Sequence, residues 1–465
     1  MPLTIPFNLN RRIFISTMYT NNHKIYLKKS NGVFLTLMVL MDLIGLSSFA
    51  QNKLSPDQAI AEGLKNNYSI RISAANAEIA STNVSPGQAG FLPQINLNLA
   101  EGNSLNNTKQ NLSSGFIVDK KNVGSNNINS GISLNWTLFD GMKMFASYEK
   151  LKELEKLEQL KLKAEIESSI YAILLNYYET VKSKQMLKVL ESSLKISMER
   201  IQIEETKFAS GSSSKIDLLQ AKLDANENRS QVFKVHNQLE SQKIKLNQLL
   251  GRGSEIQFDV IDSIVPYDSI ISLESIKSTY EQNNKSILIA DKNTRISHLS
   301  LQEIKADRYP RIGFNANYNF SRTENQAGFI LLNQNLGFNS GFTLSFNLFD
   351  GYKLNRTIQS SHLRIKASML ATEMSKSMVE TEILTAFKAL ETQKALFNLE
   401  KDNFSMALEN VRASMERYKV GNISAFQLKD AQRTYEGAYS RYINASFDVK
   451  EAELSLLKAG GKIIQ

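Results

Sequence analysis

The chain of 465 residues has no cysteine, four histidines and seven prolines. Without cysteine there are no thiol nucleophiles, disulfide frameworks, thiolate zinc sites or iron–sulfur clusters, and no cysteine for lipid attachment. His236, His298 and His362 lie far apart in sequence, each in a polar helical context. A phosphate-binding Gly-rich loop with Lys, a His-Glu-x-x-His pair and a Gly-x-Ser-x-Gly elbow are all missing. These absences argue against an enzyme and against a resident metal or cofactor.

Long apolar runs are nearly absent too. The one candidate, Val33 to Leu46, follows Lys28 and Lys29, is interrupted by Asp42 and ends at Ser48-Phe49-Ala50 before Gln51. That order of basic, apolar and small-x-small segments reads as a secretory signal over residues 1 to 50, and it is too short for a spanning helix. It holds Arg11, Arg12, Lys24, Lys28 and Lys29 against Asp42, so its removal takes four from the formal charge of +9 and leaves +5. Elsewhere Lys alternates with Glu along helical stretches, which does not make the basic face a nucleic acid would need. Any membrane insertion must therefore be made by strands.

Glycine and proline are missing from Met142 to Ser210 and again from Tyr352 to Val420, 69 residues each. As helix each run is about 100 Å long, more than a globular core requires. The two runs belong to an internal repeat. Ser130-Gly131 through Leu138-Phe139-Asp140-Gly141 returns 210 residues later as Ser340-Gly341 through Leu348-Phe349-Asp350-Gly351. The same offset takes Phe208, Gly211, Ser214 and Leu218 to Tyr418, Gly421, Ser424 and Leu428, while upstream an offset of 217 takes Asn66-Asn67 to Asn283-Asn284. Each half reads as a capped helix, two strands, a very long helix, a tight break at Gly211 or Gly421, and a return helix opened by a capping box at Ser214-x-x-Asp217 or Ser424-x-x-Gln427. The halves are placed at residues 51–250 and 272–465, with 251–271 linking them. In the last helix Leu428, Tyr435, Tyr442, Val449 and Leu456 alternate with Ala431, Ala438, Ala445 and Ala452, a heptad seam of large and small residues. Its first-half counterpart places Asn228 and Gln242 on the seam, where they either fix register or face a wet interior.

Four segments alternate with period two: Ile95, Leu97 and Leu99; Ile132, Leu134, Trp136 and Leu138; Ile312, Phe314, Ala316, Tyr318 and Phe320; Phe342, Leu344, Phe346 and Leu348. The opposite face is Asn, Ser, Thr and Gly, with almost no charge. Each segment is close to the ~9–11 residues of a tilted membrane strand. Four strands cannot close a barrel, and lipid tolerates no open edge, so several chains must pool them. The intervening stretches Gly102 to Asn129 and Ser321 to Asn339 read as extramembrane loops.

Taken together, the Leu54-Ser55-Pro56-Asp57-Gln58-Ala59 opening, both Leu-Phe-Asp-Gly strand ends and both Phe/Tyr-x-x-Gly-x-x-Ser tips make the chain resemble the TolC-type outer-membrane efflux proteins. The resemblance implies a mainly α fold with a membrane β-barrel part: a homotrimer whose copies give four strands each to a 12-stranded barrel, above a hollow antiparallel coiled-coil barrel in the periplasm. It implies an exit duct joined to a periplasmic adaptor and an inner-membrane transporter, serving drug efflux or type I secretion. By the same resemblance Phe208, Gly211, Ser214, Tyr418, Val420, Gly421 and Ser424 form tips that meet the adaptor. The family's paired gate acids fall at Gln427 and Asp430, so one acid is replaced, and Asp217 with Gln220 occupies the matching place on the first hairpin. The rival reading is a periplasmic coiled-coil tether, which has no need of lipid-facing strands.

Overall fold

A computed structural model describes residues 53–264 and 272–463; the leader expected over residues 1 to 50 lies outside the described residues, as do positions 265–271 of the linking segment. Strand β1 (Lys53–Leu54) precedes α1 (Pro56–Asn66), which Ser55 and Gln58 open with a complete capping box. The first helix is not single, as the sequence reading expects. Asn67 ends it and caps α2 (Tyr68–Asn83): its Oδ1 accepts from the amides of Ser69 (2.8 Å) and Ile70 (3.2 Å), and its own amide donates to Leu249 O at 2.7 Å. A short α3 (Pro86–Ala89) leads into β2 (Gln94–Asn111) and β3 (Ile117–Phe139).

The long helix α4 (Lys143–Ala209) and the return helix α5 (Lys215–Leu249) follow, then β4 (Asp259–Val260), which pairs in parallel with β1. The second half runs α6 (Leu273–Lys277), α7 (Tyr280–Asn283), α8 (Lys285–Ala306), β5 (Arg311–Asn325), β6 (Leu332–Ser345), α9 (Lys353–Lys419) and α10 (Ala425–Ala459). Helices α4 and α9 have 67 residues each, and α5 and α10 have 35 each. Asn284 repeats the role of Asn67, capping α8 and donating to Ala459 O at 2.9 Å.

The Leu-Phe-Asp-Gly motif is the turn from strand to long helix. Gly141 and Met142, like Gly351 and Tyr352, take left-handed backbone in succession. The preceding aspartate accepts the first free helix amides, Met144 N–H on Asp140 at 3.1 Å and Leu354 N–H on Asp350 at 2.7 Å.

Strands β2, β3, β5 and β6 form one antiparallel sheet in that order. They are longer than the sequence reading expects, because the Asn/Ser/Thr stretches placed in loops continue the ladder. Only residues 112–116 and 326–331 lie between strands in the two hairpins. Short polar side chains bridge the extended strands, as where Asn126 donates to Glu101 at 3.1 Å and Asn103 at 2.8 Å. At the other end β6 stops at Ser345, so Phe346 to Leu348 fall outside the strand.

The helices continue the lateral order of the sheet. Beside the sheet the sequence of neighbours is α2, α4, α8, α9; farther away it is α5, α4, α10, α9. Two apolar cores sit near the middle. One gathers Ile173, Tyr177 and Val181 of α4 with Leu246 of α5, Leu250 that caps it, Val260 of β4 and Leu454 of α10; the other gathers Ile287, Ile383, Leu390, Val449 and Leu456. In α10 the predicted seam is nearly all buried, Tyr442 being the partly exposed member. The polar seam residues of α5 are paired with α4: Asn228 donates to Ser197 Oγ at 2.8 Å, and Asn176 donates to Gln242 at 2.9 Å. Both are tied to α4 by these bonds, as register-fixing residues are, and both stay partly exposed.

Candidate functional site

The register aligns side chains into rows across all four strands. Leu97, Ile132, Tyr318 and Phe338 make one row, and Leu99, Ser130, Phe320 and Leu336 the next on that face. The other face carries Asn96, Ser133, Asn317 and Asn339, then Asn98, Gly131, Asn319 and Gly337. Gly131 leaves room there for the Asn319 side chain, which a Cβ at 2.2 Å from its Oδ1 would displace. The apolar face ends at a row with Glu101, Ile128, Arg322 and Gln334. From Ile312 to Phe320 it covers about 27 Å of strand, or about 20 Å of height at the usual barrel tilt, near the ~25 Å band of outer-membrane barrels.

Every layer has two open edges, one from each half. In the sheet these are β2 and β6; among the helices they are α2 or α5 on one side and α9 on the other. Both helical edges expose apolar side chains at near-heptad spacing, Ile216, Leu219, Leu223 and Phe233 on α5 and Leu363, Leu370, Met374 and Leu384 on α9. Unpaired strands and apolar helix faces of this extent call for covering.

At the end remote from the sheet the two helix breaks are alike. Gly211 (φ 74°) donates to Phe208 O at 3.1 Å and Ser212 to Lys207 O at 2.8 Å; Gly421 (φ 80°) donates to Tyr418 O at 3.0 Å and Asn422 to Arg417 O at 2.8 Å. Both are left-handed helix ends of the Schellman type. Both return helices open with complete capping boxes, Ser214 with Asp217 and Ser424 with Gln427. Hydrogen bonds from the Ser214 hydroxyl and amide hold the Asp217 carboxyl below the usual range.

Between the hairpins lies a network of buried polar groups. Arg200 of α4 bonds Asp224 of α5 at 2.8 Å, with side chains 4% and 9% exposed, and Lys429 of α10 reaches the same carboxylate at 2.5 Å. Burial pushes Asp224 upward, but bonds from Lys429, Gln220 and Arg200 outweigh it and hold the group low. Beside it the Tyr418 hydroxyl donates to buried Glu204, which also accepts from Ser213 at 2.6 Å. Burial first, then Glu204, push the Tyr418 phenol up. Farther along, Gln432 of α10 donates to Ser193 and Ser197 of α4, and Ser193 donates to Glu436, whose carboxyl burial pushes up. Arg200 Nε is buried without a partner, so the network is incompletely satisfied.

Asp217, Gln220 and Asp430 line one cleft of about 390 Å³ together with Arg200, Lys429 and Arg433. Gln427 is not among its lining residues and is held in its capping box. Asp430 is exposed and makes no hydrogen bond or ion pair among the described residues. At the tips Phe208, Gly211, Ser214, Val420, Gly421 and Ser424 are exposed, Val420 to 70%. Tyr418 is 1% exposed, so within the chain it is a tie between hairpins and not a contact surface. The sequence reading missed Arg200, Glu204, Asp224 and Lys429. Each sits in a Lys/Glu-rich helix whose charges look solvated, and only the packing of α4 with α5 and α10 brings them together, with Arg200, Glu204 and Asp224 buried and Lys429 partly exposed.

The family model described as outer membrane efflux protein matches residues 59–252 and 278–462. Outer membrane efflux protein BepC of Brucella suis biovar 1 (strain 1330) is 19% identical over 411 residues, covering 87% of this chain and 85% of the relative. Nodulation protein T of Rhizobium leguminosarum bv. trifolii is 20% identical over 381 residues, covering 81% and 78%. Among solved structures the Campylobacter jejuni CmeC outer membrane channel superposes with a TM-score of 0.73 at 16% identity, covering 88% of this chain and 85% of that one. With the family model matching most of the chain, this protein belongs to the outer membrane efflux protein family, whose members are outer-membrane channels and not enzymes.

Proposed function

We propose that three copies close edge to edge into one exit duct of a tripartite efflux pump or type I secretion system. The observation that carries this is the pair of open edges, one from each half, repeated in every layer. Each chain already makes the required junction once, where β3 pairs antiparallel with β5 and α4 packs on α8 and α10. A head-to-tail contact of this kind builds a ring when the rotation closes. Three copies give twelve strands, with the amide face lining the lumen and the apolar face in outer-membrane lipid. The helices then form a periplasmic tube, with residues 251–264 in a belt around it.

In this reading the exposed tip residues Phe208, Val420 and the capped turns at Gly211, Ser214, Gly421 and Ser424 meet a periplasmic adaptor, through which an inner-membrane transporter feeds the duct. The Arg200–Asp224–Lys429 and Glu204–Tyr418 contacts hold the two hairpins of a protomer together in the closed state. Three Asp430 carboxylates around the axis favour cations at the mouth, with Asp217 and Gln220 beside them. A tether would leave the edges open.

The test is the mass of the mature protein extracted from the outer-membrane fraction in mild detergent. A heat-modifiable particle of three copies is expected; a monomer or dimer in the soluble periplasmic fraction overturns the duct in favour of a tether.

A further inference from the structure

Beyond the apolar band both hairpins end in the same short motif. Gly115-Phe116-Ile117-Val118 closes the first and Gly328-Phe329-Ile330-Leu331 the second. Both glycines have positive φ, 83° and 128°. Phe116 is 74% exposed and Phe329 81%, and Ile117, Ile330, Leu331 and Leu332 are each more than half exposed. These tips are not a continuation of the lipid face. Between the two lie the Glu101/Arg322 row, the Arg322–Glu324 pair and the Lys109–Asp119 pair.

The tips are held in place. A bulge at Asn122 (φ 54°) bends the first hairpin, with the Asn122 amide donating to Asn107 Oδ1 at 2.9 Å. The second loop is stitched to it, Gln326 N–H donating to Gly124 O at 2.9 Å and Gly124 N–H to Gln326 Oε1 at 3.1 Å. Next to this join Val123 is buried, only 7% exposed, far from the helical cores.

A preorganised apolar tip in a polar, charged surround marks an interaction site, and its position names the occupant. Leu332 begins β6 and Asn111 ends β2, the two edge strands of the sheet. The tips therefore stand at the outer ends of the edges that ring closure brings together. β6 runs toward the helices and β2 away from them, so β6 of one copy meets β2 of the next antiparallel, like every other pair in the sheet. We propose that Phe329 to Leu332 of one copy pack on Phe116 and Ile117 of the next, an apolar clasp that fastens each seam outside the bilayer. The clasp rests on the ring-forming reading given above.

The absence of native cysteine makes the test clean, since any disulfide must come from introduced residues. The variant Phe116→Cys/Ile330→Cys is oxidised in the outer-membrane fraction beside a control nearer the helix end of the same seam, Leu99→Cys/Leu344→Cys, the pair that repeats Leu134 opposite Ala316. Both are expected to give a covalent ladder ending at three chains on denaturing gels. A ladder from the control with the tip variant remaining single chains overturns the clasp and leaves the ring standing. No ladder from either overturns both. Covalent dimers from Phe116→Cys alone mean that the tips meet over the mouth instead of across the seams, which also overturns the clasp. As a second readout, Phe329→Ser/Ile330→Ser is expected to lower the temperature at which the detergent-resistant oligomer falls apart, and an unchanged temperature counts against the proposal.

Discussion

Away from the sheet, two of the places where the halves of the chain meet differ in chemistry. Near the middle, Ile173, Tyr177 and Val181 join Leu246, Val260 and Leu454 in an aliphatic and aromatic core, and Tyr177 carries its hydroxyl to Leu54 O at 2.6 Å. At the tips, Arg200, Asp224, Lys429, Glu204 and Tyr418 make the junction. Burial of apolar area is favourable for each part that enters the core and is insensitive to small shifts. Buried ion pairs contribute little net stability while assembled, yet cost several kcal/mol when one member is lost. The middle junction is thus suited to permanence, and the tip junction to two well-separated states.

The largest expected effect is at the middle. Tyr177→Ala removes a fully buried ring and is expected to cost about 3–5 kcal/mol, read as a lower melting temperature of the whole particle. If that variant leaked through an intact trimer with unchanged melting, the two junctions would not differ as described. At the tips, Asp224→Ala leaves Arg200 buried and unpaired, a local penalty of about 3–5 kcal/mol. Raised antibiotic sensitivity or pore conductance is expected, with global melting little changed. The triple variant Arg200→Met/Asp224→Leu/Lys429→Met sharpens the contrast: it should stay closed, be as stable as the parent, and export poorly. Full export by the triple variant would mean that the ion network plays no part in opening. The smallest effect is at Asp430, whose exposed carboxylate makes no tie within the chain. Asp430→Ala should lower cation preference in bilayer recordings while closure is kept, and an unchanged reversal potential would remove it from the mouth.

Much of this was legible from local pattern. Period-two alternation located all four strands, and the gaps in Gly and Pro located both long helices to within about a residue. The capping boxes at Ser214 and Ser424 are local signals and are found as read. What escaped was non-local. The Asn67 and Asn284 caps depend on carbonyls of Leu249 and Ala459, 182 and 175 residues away. The strand extensions escaped because Asn and Ser favour turns in isolation, whereas here an adjacent strand offers each amide a partner. Tyr418, placed at an adaptor-facing tip by the resemblance, is instead held inward by Glu204, 214 residues distant.

The rigid helix between the two junctions has a mechanical consequence. From Tyr177 to Gly211 the chain is helical nearly throughout, about 50 Å at 1.5 Å per residue. It acts as a lever arm pivoting on the central core, with its root fixed by the left-handed turn at Gly141 and Met142. A swing of about 5° then moves the tip by about 4 Å, one side-chain diameter, while displacements beside the pivot stay below what close packing resists. In the ring proposed above, this lets the aperture at the far end change by amounts that matter to a solute while the sheet scarcely moves.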